Sequence, residues 1–196
     1  MFNRLKSYFS SYADITPEDA VFMKNFFEQK SFNSKTILTK EGEPEEYIYF
    51  IVKGVVKVYF MHNDREIITY INKEGEVVSA GASFFSRKPS RYFLETLEPA
   101  IVICINHANF FRFMNSGPKW QRMCRLLMTE FVLKKERWLL DDIEYSPRER
   151  FLRFFKERPD LLLRVPQKQL AAYLNIKPET FSRLKHLIRQ TPPATK

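Results

Sequence analysis

The spacing of apolar residues changes along the chain and divides it into three regions. After a predicted helical stretch at 17–29, apolar and polar residues alternate with a period of two, which predicts strands at 47–52, 55–60, 66–71, 93–97 and 101–105. The dipeptide Lys53-Gly54 predicts a hairpin between the first two strands, and His62-Asn63-Asp64 predicts the next turn. Short strands joined by turns predict an antiparallel barrel or jelly roll over residues 1–117.

The second region, residues 118–141, contains neither glycine nor an internal proline and predicts one helix of about 35 Å. Its apolar residues are Met123, Leu126, Leu127, Phe131, Leu133, Trp138, Leu139 and Leu140. One small domain cannot bury so long a helix, so the apolar face predicts a dimer seam against a second copy. The alternative is a helix that packs wholly on its own barrel.

The third region, residues 142–196, opens with Ser146-Pro147-Arg148-Glu149, the pattern of a helix start. Residues 165–184 predict two short helices joined by a turn at Asn175, a residue that tolerates the left-handed conformation. Their apolar stripes are Leu170, Ala171 and Leu174, and Phe181, Leu184, Leu187 and Ile188. A polar face at the start of the second helix predicts a helix-turn-helix that enters the DNA major groove. The alternative is an ordinary helical hairpin.

Positive charge is concentrated at the C-terminal end of the chain. The net charge of +9 comes from 32 basic and 23 acidic side chains. Residues 1–115 hold 14 of each, residues 116–141 hold 6 basic and 3 acidic, and residues 142–196 hold 12 and 6. A basic last third beside a neutral first half predicts that only this end meets a polyanion. A solvated basic surface is the alternative.

Composition excludes several classes of protein. The 44% hydrophobic and 15% aromatic content is enough for a folded core and excludes general disorder. No run approaches the roughly 18 apolar residues of a membrane span, and the first residues lack an apolar signal stretch. The two cysteines, Cys104 and Cys124, have no metal-ligand spacing and are expected to be buried free thiols. The chain is therefore expected in the cytoplasm, without a membrane partner or a metal.

Barrel, long helix and helix-turn-helix together resemble the CRP/FNR family of bacterial transcription regulators. In the barrel the resemblance lies in Gly42, Gly54 and the pair Gly75-Glu76, which are similar to the turn glycines of the cyclic-nucleotide-binding fold. It implies an α+β fold: an N-terminal antiparallel β jelly-roll sensor, a long dimerisation helix, and a C-terminal winged-helix-like helix-turn-helix domain.

The resemblance also implies where a ligand would bind. Cyclic-nucleotide binders of the family place Gly-Glu before a short helix, for the ribose, and an arginine before the next strand, for the phosphate. Here Glu76 matches the ribose ligand, Ser90 stands at the arginine position with Arg91 one residue later, and Thr129 is the hydroxyl of the long helix. A serine cannot pair a phosphate as a guanidinium does. Binding of cAMP is therefore not expected, and the effector is another small molecule or none.

The redox branches of the family match less well. An iron–sulfur cluster needs several thiolates, and the two cysteines lie far apart in the sequence, so no cluster is expected. A haem sensor would have only Cys124 to offer near the long helix. A jelly-roll enzyme of the cupin type would need clustered His and Glu ligands. His62 and His107 lack that motif, so neither catalytic residues nor an enzyme is predicted.

The second helix of the helix-turn-helix resembles the Glu-x-x-Ser-Arg pattern of the FNR-like branch. This implies that Glu179, Ser182 and Arg183 read base edges, and their spacing puts them on one helix face. The expected phosphate contacts are Lys168, Lys177, Thr180 and Lys185. The wing strands that usually follow are short or missing.

The resemblance implies a homodimeric, sequence-specific transcription regulator on a near-palindromic operator, with RNA polymerase as a further partner if it activates. The alternative is a cyclic-nucleotide-binding regulatory module that acts through protein–protein contacts. A docking face of that kind would expose apolar anchors, whereas the second helix presents polar residues.

Overall fold

A computed structural model describes residues 2–190, without the side chains of Asp142 and of residues 187–190. The helices are α1 (Phe2–Phe9), α2 (Pro17–Met23), α3 (Gly81–Ser86), α4 (His107–Met114), α5 (Pro118–Glu144), α6 (Pro147–Glu157), α7 (Leu161–Arg164), α8 (Gln167–Tyr173) and α9 (Pro178–Gln190). The strands are β1 (Glu28–Phe32), β2 (Ile37–Thr39), β3 (Tyr47–Lys53), β4 (Val56–His62), β5 (Arg65–Asn72), β6 (Val77–Val78), β7 (Phe93–Thr96) and β8 (Ala100–Asn106).

The strands form two four-stranded sheets, ordered β1-β8-β3-β6 and β2-β7-β4-β5. Alternate residues of β3 divide its side chains between two cores. Tyr49 and Ile51 meet Val56 and Val58 of β4 in the core between the sheets, whereas Phe50 belongs to a second core with α1, α2 and α4. The predicted fold class, a jelly roll followed by a long helix and a helix-turn-helix, is confirmed.

Two local predictions in the sheet region are wrong. Strands β3 and β4 are not a hairpin, because they belong to different sheets. Gly54 lies at the crossing with φ +105°, and a Cβ there would lie 2.8 Å from the Cα of Ala100. The helix predicted at 17–29 ends at Met23, and residues 28–29 already belong to β1. Residues 28–32 form a strand because they pair with β8. Strand preference depends more on such context than on composition.

Helix α5 has two different halves. Its first turns bury Trp120, Met123 and Cys124 in the same core as α1, α2 and α4, and Leu127 packs against that core. From Met128 onward most of the large apolar side chains are exposed, including Val132 and Ile143, while Phe131 and Trp138 are half-buried. The helix continues past the predicted end at Asp141 to Glu144, because the first stop signal is the capping box of α6. There the Ser146 side chain accepts from the Glu149 N–H, and the Glu149 carboxylate accepts from the Ser146 N–H.

The chain divides into two compact units. The first contains residues up to Phe60 together with Thr69–Leu133, and the second contains Met61–Ile68 together with the residues from Lys134 onward. The first half of α5 thus groups with the sensor region, while the predicted domain limits after residues 117 and 141 stay predictions. Among residues 2–190, no helix combines the length and the apolar composition needed to cross a membrane.

Candidate functional site

Helices α8 and α9 form the predicted helix-turn-helix. Ala171 is fully buried where the helices cross, and Phe181 is fully buried on α9. The turn residue Asn175 has φ +53°, which confirms its predicted left-handed conformation. The Ile176 N–H donates to the Ala171 carbonyl at 3.0 Å and closes the end of α8. Pro178 then begins α9, where a missing N–H costs nothing. The side chains of Leu187 and Ile188 lie outside the described residues.

The predicted base-reading residues lie on one exposed face at the start of α9. Glu179, Ser182 and Arg183 are all exposed, and their spacing of three and four residues keeps them together. The Glu179 carboxylate can accept from cytosine N4, and the Arg183 guanidinium can donate twice to guanine. The Ser182 hydroxyl can either donate to a base or accept from one.

The predicted phosphate contacts surround that face. Lys177 directly precedes α9 and is exposed, as is Lys168 on α8. Thr180 and Lys185 on α9 are half-buried. Residues 147–190 contain four helices and no strand, so within this range no wing supplements these side chains.

Helix α6 supports the helix-turn-helix from beneath. The ring of Phe151 meets the ring of Phe181 edge-on, with centroids 5.1 Å apart. Arg150 holds the turn: its Nε donates to the Leu174 carbonyl at 3.2 Å and its Nη1 to the Tyr145 carbonyl at 2.9 Å. Sequence reasoning missed this positioning role, because nothing in the sequence distinguishes Arg150 from the exposed arginines around it.

In the sensor, the carboxylate of Glu76 turns back on its own loop. It accepts from the Lys73 N–H at 2.9 Å, while the Glu76 carbonyl accepts from the Ile51 N–H at 3.0 Å. Thr129 on α5 is exposed, and its hydroxyl donates to the Arg125 carbonyl at 2.9 Å. The side chains of Glu76 and Thr129 therefore each bond to a nearby backbone group of the same chain.

Ser90 and Arg91 differ in orientation. Ser90 is only 3% exposed, and its hydroxyl accepts from the Tyr92 N–H at 3.0 Å. Its backbone pairs with the loop before β3: the Gly42 N–H donates to the Ser90 carbonyl, and the Ser90 N–H donates to the Glu43 carbonyl, each at 2.9 Å. Arg91 is exposed. The buried residue at the position expected for a phosphate-binding arginine is thus the serine.

A further buried carboxylate, Glu45, lies in the same loop and was not anticipated. It is 1% exposed and accepts from the Thr39 hydroxyl at 2.8 Å, the Ala80 N–H at 3.0 Å and the Tyr47 N–H at 3.1 Å. Burial raises the pKa of the Glu45 carboxyl, and this effect is larger than the lowering by these hydrogen bonds. In the sequence, Glu45 is one of four acids at 41–46 and looks like part of a solvated acidic turn.

The thiols and possible metal ligands form no obvious site. Burial raises the pKa of both Cys104 and Cys124 to about 12, so neither is a reactive thiolate at neutral pH. Within the described part of the chain, no three His, Cys, Asp or Glu side chains are grouped so that they could hold a metal ion.

Residues 29–116 match the family model described as "Cyclic nucleotide-binding domain". No curated protein sequence matches the chain. Among solved structures, FixK2 from Bradyrhizobium japonicum is 20% identical with a TM-score of 0.70, covering 83% of this chain and 84% of that one.

Two further solved structures are similar across most of the chain. A CooA mutant from Carboxydothermus hydrogenoformans is 19% identical with a TM-score of 0.67, covering 89% and 81% of the two chains. The Thermus thermophilus Catabolite Activator Protein is 16% identical with a TM-score of 0.56, covering 91% and 86%. Residues 29–116 therefore match the cyclic nucleotide-binding domain, and the chain has the fold of the CRP/FNR transcription regulators.

Proposed function

We propose that the chain is a homodimeric, sequence-specific DNA-binding transcription regulator, not an enzyme. The observation that carries this proposal is that Glu179, Ser182 and Arg183 are exposed together on the second helix of a helix-turn-helix. The turn of this motif is closed by the hydrogen bond from the Ile176 N–H to the Ala171 carbonyl. The excess of basic over acidic side chains in residues 142–196 supports it, because a basic recognition surface attracts the phosphate backbone.

DNA recognition would divide between two sets of residues. Helix α9 enters the major groove, where Glu179, Ser182 and Arg183 meet base edges and carry the sequence preference. Lys168, Lys177, Thr180 and Lys185 meet the phosphates and fix the position of the helix without reading sequence.

Dimerisation would use the exposed face of α5. Met128, Val132, Leu139 and Ile143 are exposed and follow one another at intervals of four, seven and four residues, so they lie on one side of the helix. A seam at this spacing is typical of a helix that pairs with its own copy. Two copies would present two recognition helices, which suits a near-palindromic operator.

The sensor would act through the first half of α5. A Cβ at Gly81, the first residue of α3, would lie 2.9 Å from the Phe131 ring of α5, so the two helices are in close contact. A signal that moves α3 would therefore alter the packing of α5 and, through the dimer, the aim of the recognition helices. The effector is unidentified.

Lys177→Ala tests the DNA-binding proposal. The variant should bind all duplexes more weakly by a similar factor, and the salt dependence should become shallower by about one unit for each protomer. Fluorescence anisotropy with labelled random-sequence duplexes at several salt concentrations measures both quantities. The matched control is Lys40→Ala, an exposed lysine of the sensor, which should leave affinity and slope unchanged.

Two outcomes would contradict the proposal. One is no binding of the wild type to any duplex at low salt, which would favour the protein-docking alternative. The other is an equal loss of DNA affinity in the Lys177 and Lys40 variants, which would show that binding depends only on net charge.

A further inference from the structure

The sensor contains a buried carboxylate for which the proposed DNA-binding function has no use. Glu45 lies in the loop between β2 and β3, and three neutral donors, at Thr39, Tyr47 and Ala80, converge on its carboxylate. Two are backbone N–H groups and the third is the Thr39 hydroxyl. Convergent N–H and O–H donors form the kind of site that binds a small anion.

The loop that carries Glu45 is hydrogen-bonded both to the α3 region and to the segment before β7. Toward α3, the Glu45 N–H donates to the Ser83 hydroxyl at 2.9 Å and Arg87 donates to the Glu45 carbonyl at 2.8 Å. Toward β7, Gly42 and Glu43 are paired with the backbone of Ser90. The loop therefore bridges α3 and the segment before β7, and that segment contains Ser90 and Arg91, two of the residues expected to hold a ligand.

We propose that Glu45 is a resident anion: its carboxylate fills an anion site inside the sensor, and the sensor is closed without a cyclic nucleotide. A second anion beside this carboxylate would place like charges together in a poorly solvated interior, which is strongly unfavourable. Ser90 supplies no positive charge to offset that repulsion, and the Arg87 guanidinium already donates to the Glu45 carbonyl and the Glu46 carboxylate. The proposal concerns the sensor alone, and its test needs no DNA.

Chemical rescue tests the proposal. Glu45→Ala removes the carboxylate and leaves three donors around a small hole, so its Tm should fall by roughly 5–10 °C. Sodium formate at about 100 mM should raise the Tm of this variant by at least about 2 °C more than it raises that of the wild type. Sodium chloride at the same concentration supplies the ionic-strength control.

Two control variants separate an anion site from general loosening. Glu43→Ala removes an exposed carboxylate of the same loop and should show neither the loss nor the rescue. Glu45→Gln fills the hole and turns an amide NH2 toward the donors, so it should lower the Tm without formate rescue. Equal formate effects in all variants would overturn the proposal.

Calorimetry on the wild type gives a second test that holds even if Glu45→Ala fails to fold. Titration with cAMP and with cGMP up to about 1 mM should give no binding heat. A low-micromolar Kd for either nucleotide would overturn the proposal, because it would show that the site accepts a ligand's phosphate despite Glu45.

Discussion

Replacing both Val132 and Leu139, two residues of the proposed seam, with glutamate should convert the dimer into a monomer and abolish specific DNA binding. These side chains are 63% and 54% exposed on α5, so the changes leave the fold of one chain undisturbed. In a dimer, they would bury four carboxylates without partners, at an effective cost of several kcal/mol per ion. Leu127, also apolar and on the same helix, is unsuitable because it packs against the sensor's own core.

Sedimentation velocity at tens of micromolar measures the result, with circular dichroism to check folding. Val21→Glu is the control, since Val21 is 64% exposed on α2 and lies outside the proposed seam. It should sediment as the wild type does. A wild type that is already monomeric, or a doubly substituted variant that remains dimeric, would exclude α5 as the interface.

Arg183→Ala should have the second largest effect, on both affinity and sequence preference. Loss of a bidentate contact to guanine costs roughly 1–3 kcal/mol, and a dimer on a palindrome loses it twice, or roughly 2–6 kcal/mol in total. Preference at one base pair in each half-site should relax, while binding to random-sequence DNA should weaken much less.

Arg183→Lys sharpens this test. It keeps the charge but not the planar fork of donors, so random-sequence binding should be preserved while discrimination at that base pair falls. Arg122→Ala, an exposed arginine of α5, is the control and should change neither. If the Arg183 variants lose specific and random-sequence binding by the same factor, Arg183 contacts phosphate instead of a base.

The parts of the fold that depend on neighbouring residues were predictable from the sequence. The turn at Asn175 and the start of α6 at Ser146 and Pro147 follow from local conformational preferences and capping. Five strands, β3, β4, β5, β7 and β8, follow from period-two spacing and turn residues, whereas β1, β2 and β6 were not predicted. These signals act over a few residues, so the sequence carries them directly.

What was missed depends on contacts between distant segments. At Gly54 the chain crosses from one sheet to the other and passes close to Ala100, the first residue of β8, which follows much later in the chain. The buried state of Glu45 depends on the Ala80 N–H and the Thr39 hydroxyl, and the role of Arg150 depends on the Leu174 carbonyl. No local pattern distinguishes such a glutamate or arginine from its solvated neighbours.

The candidate ligand residues show the same limit. The sequence alone showed that a serine stands at position 90 and that the arginine comes one residue later. The structure adds that Ser90 is buried and Arg91 is exposed. That Glu76 closes its own turn required the geometry of the loop. The effector-binding roles of Glu76, Ser90, Arg91 and Thr129 stay predictions.

Selection of bound sequences from random duplex DNA measures whether the chain reads DNA sequence. We expect enrichment of a near-palindrome with half-sites about one helical turn apart. The base pair read by Arg183 should be fixed in the wild type and free in Arg183→Ala. Recovery of no enriched palindrome, with and without cell extract to supply an effector, would contradict sequence-specific DNA recognition by this chain.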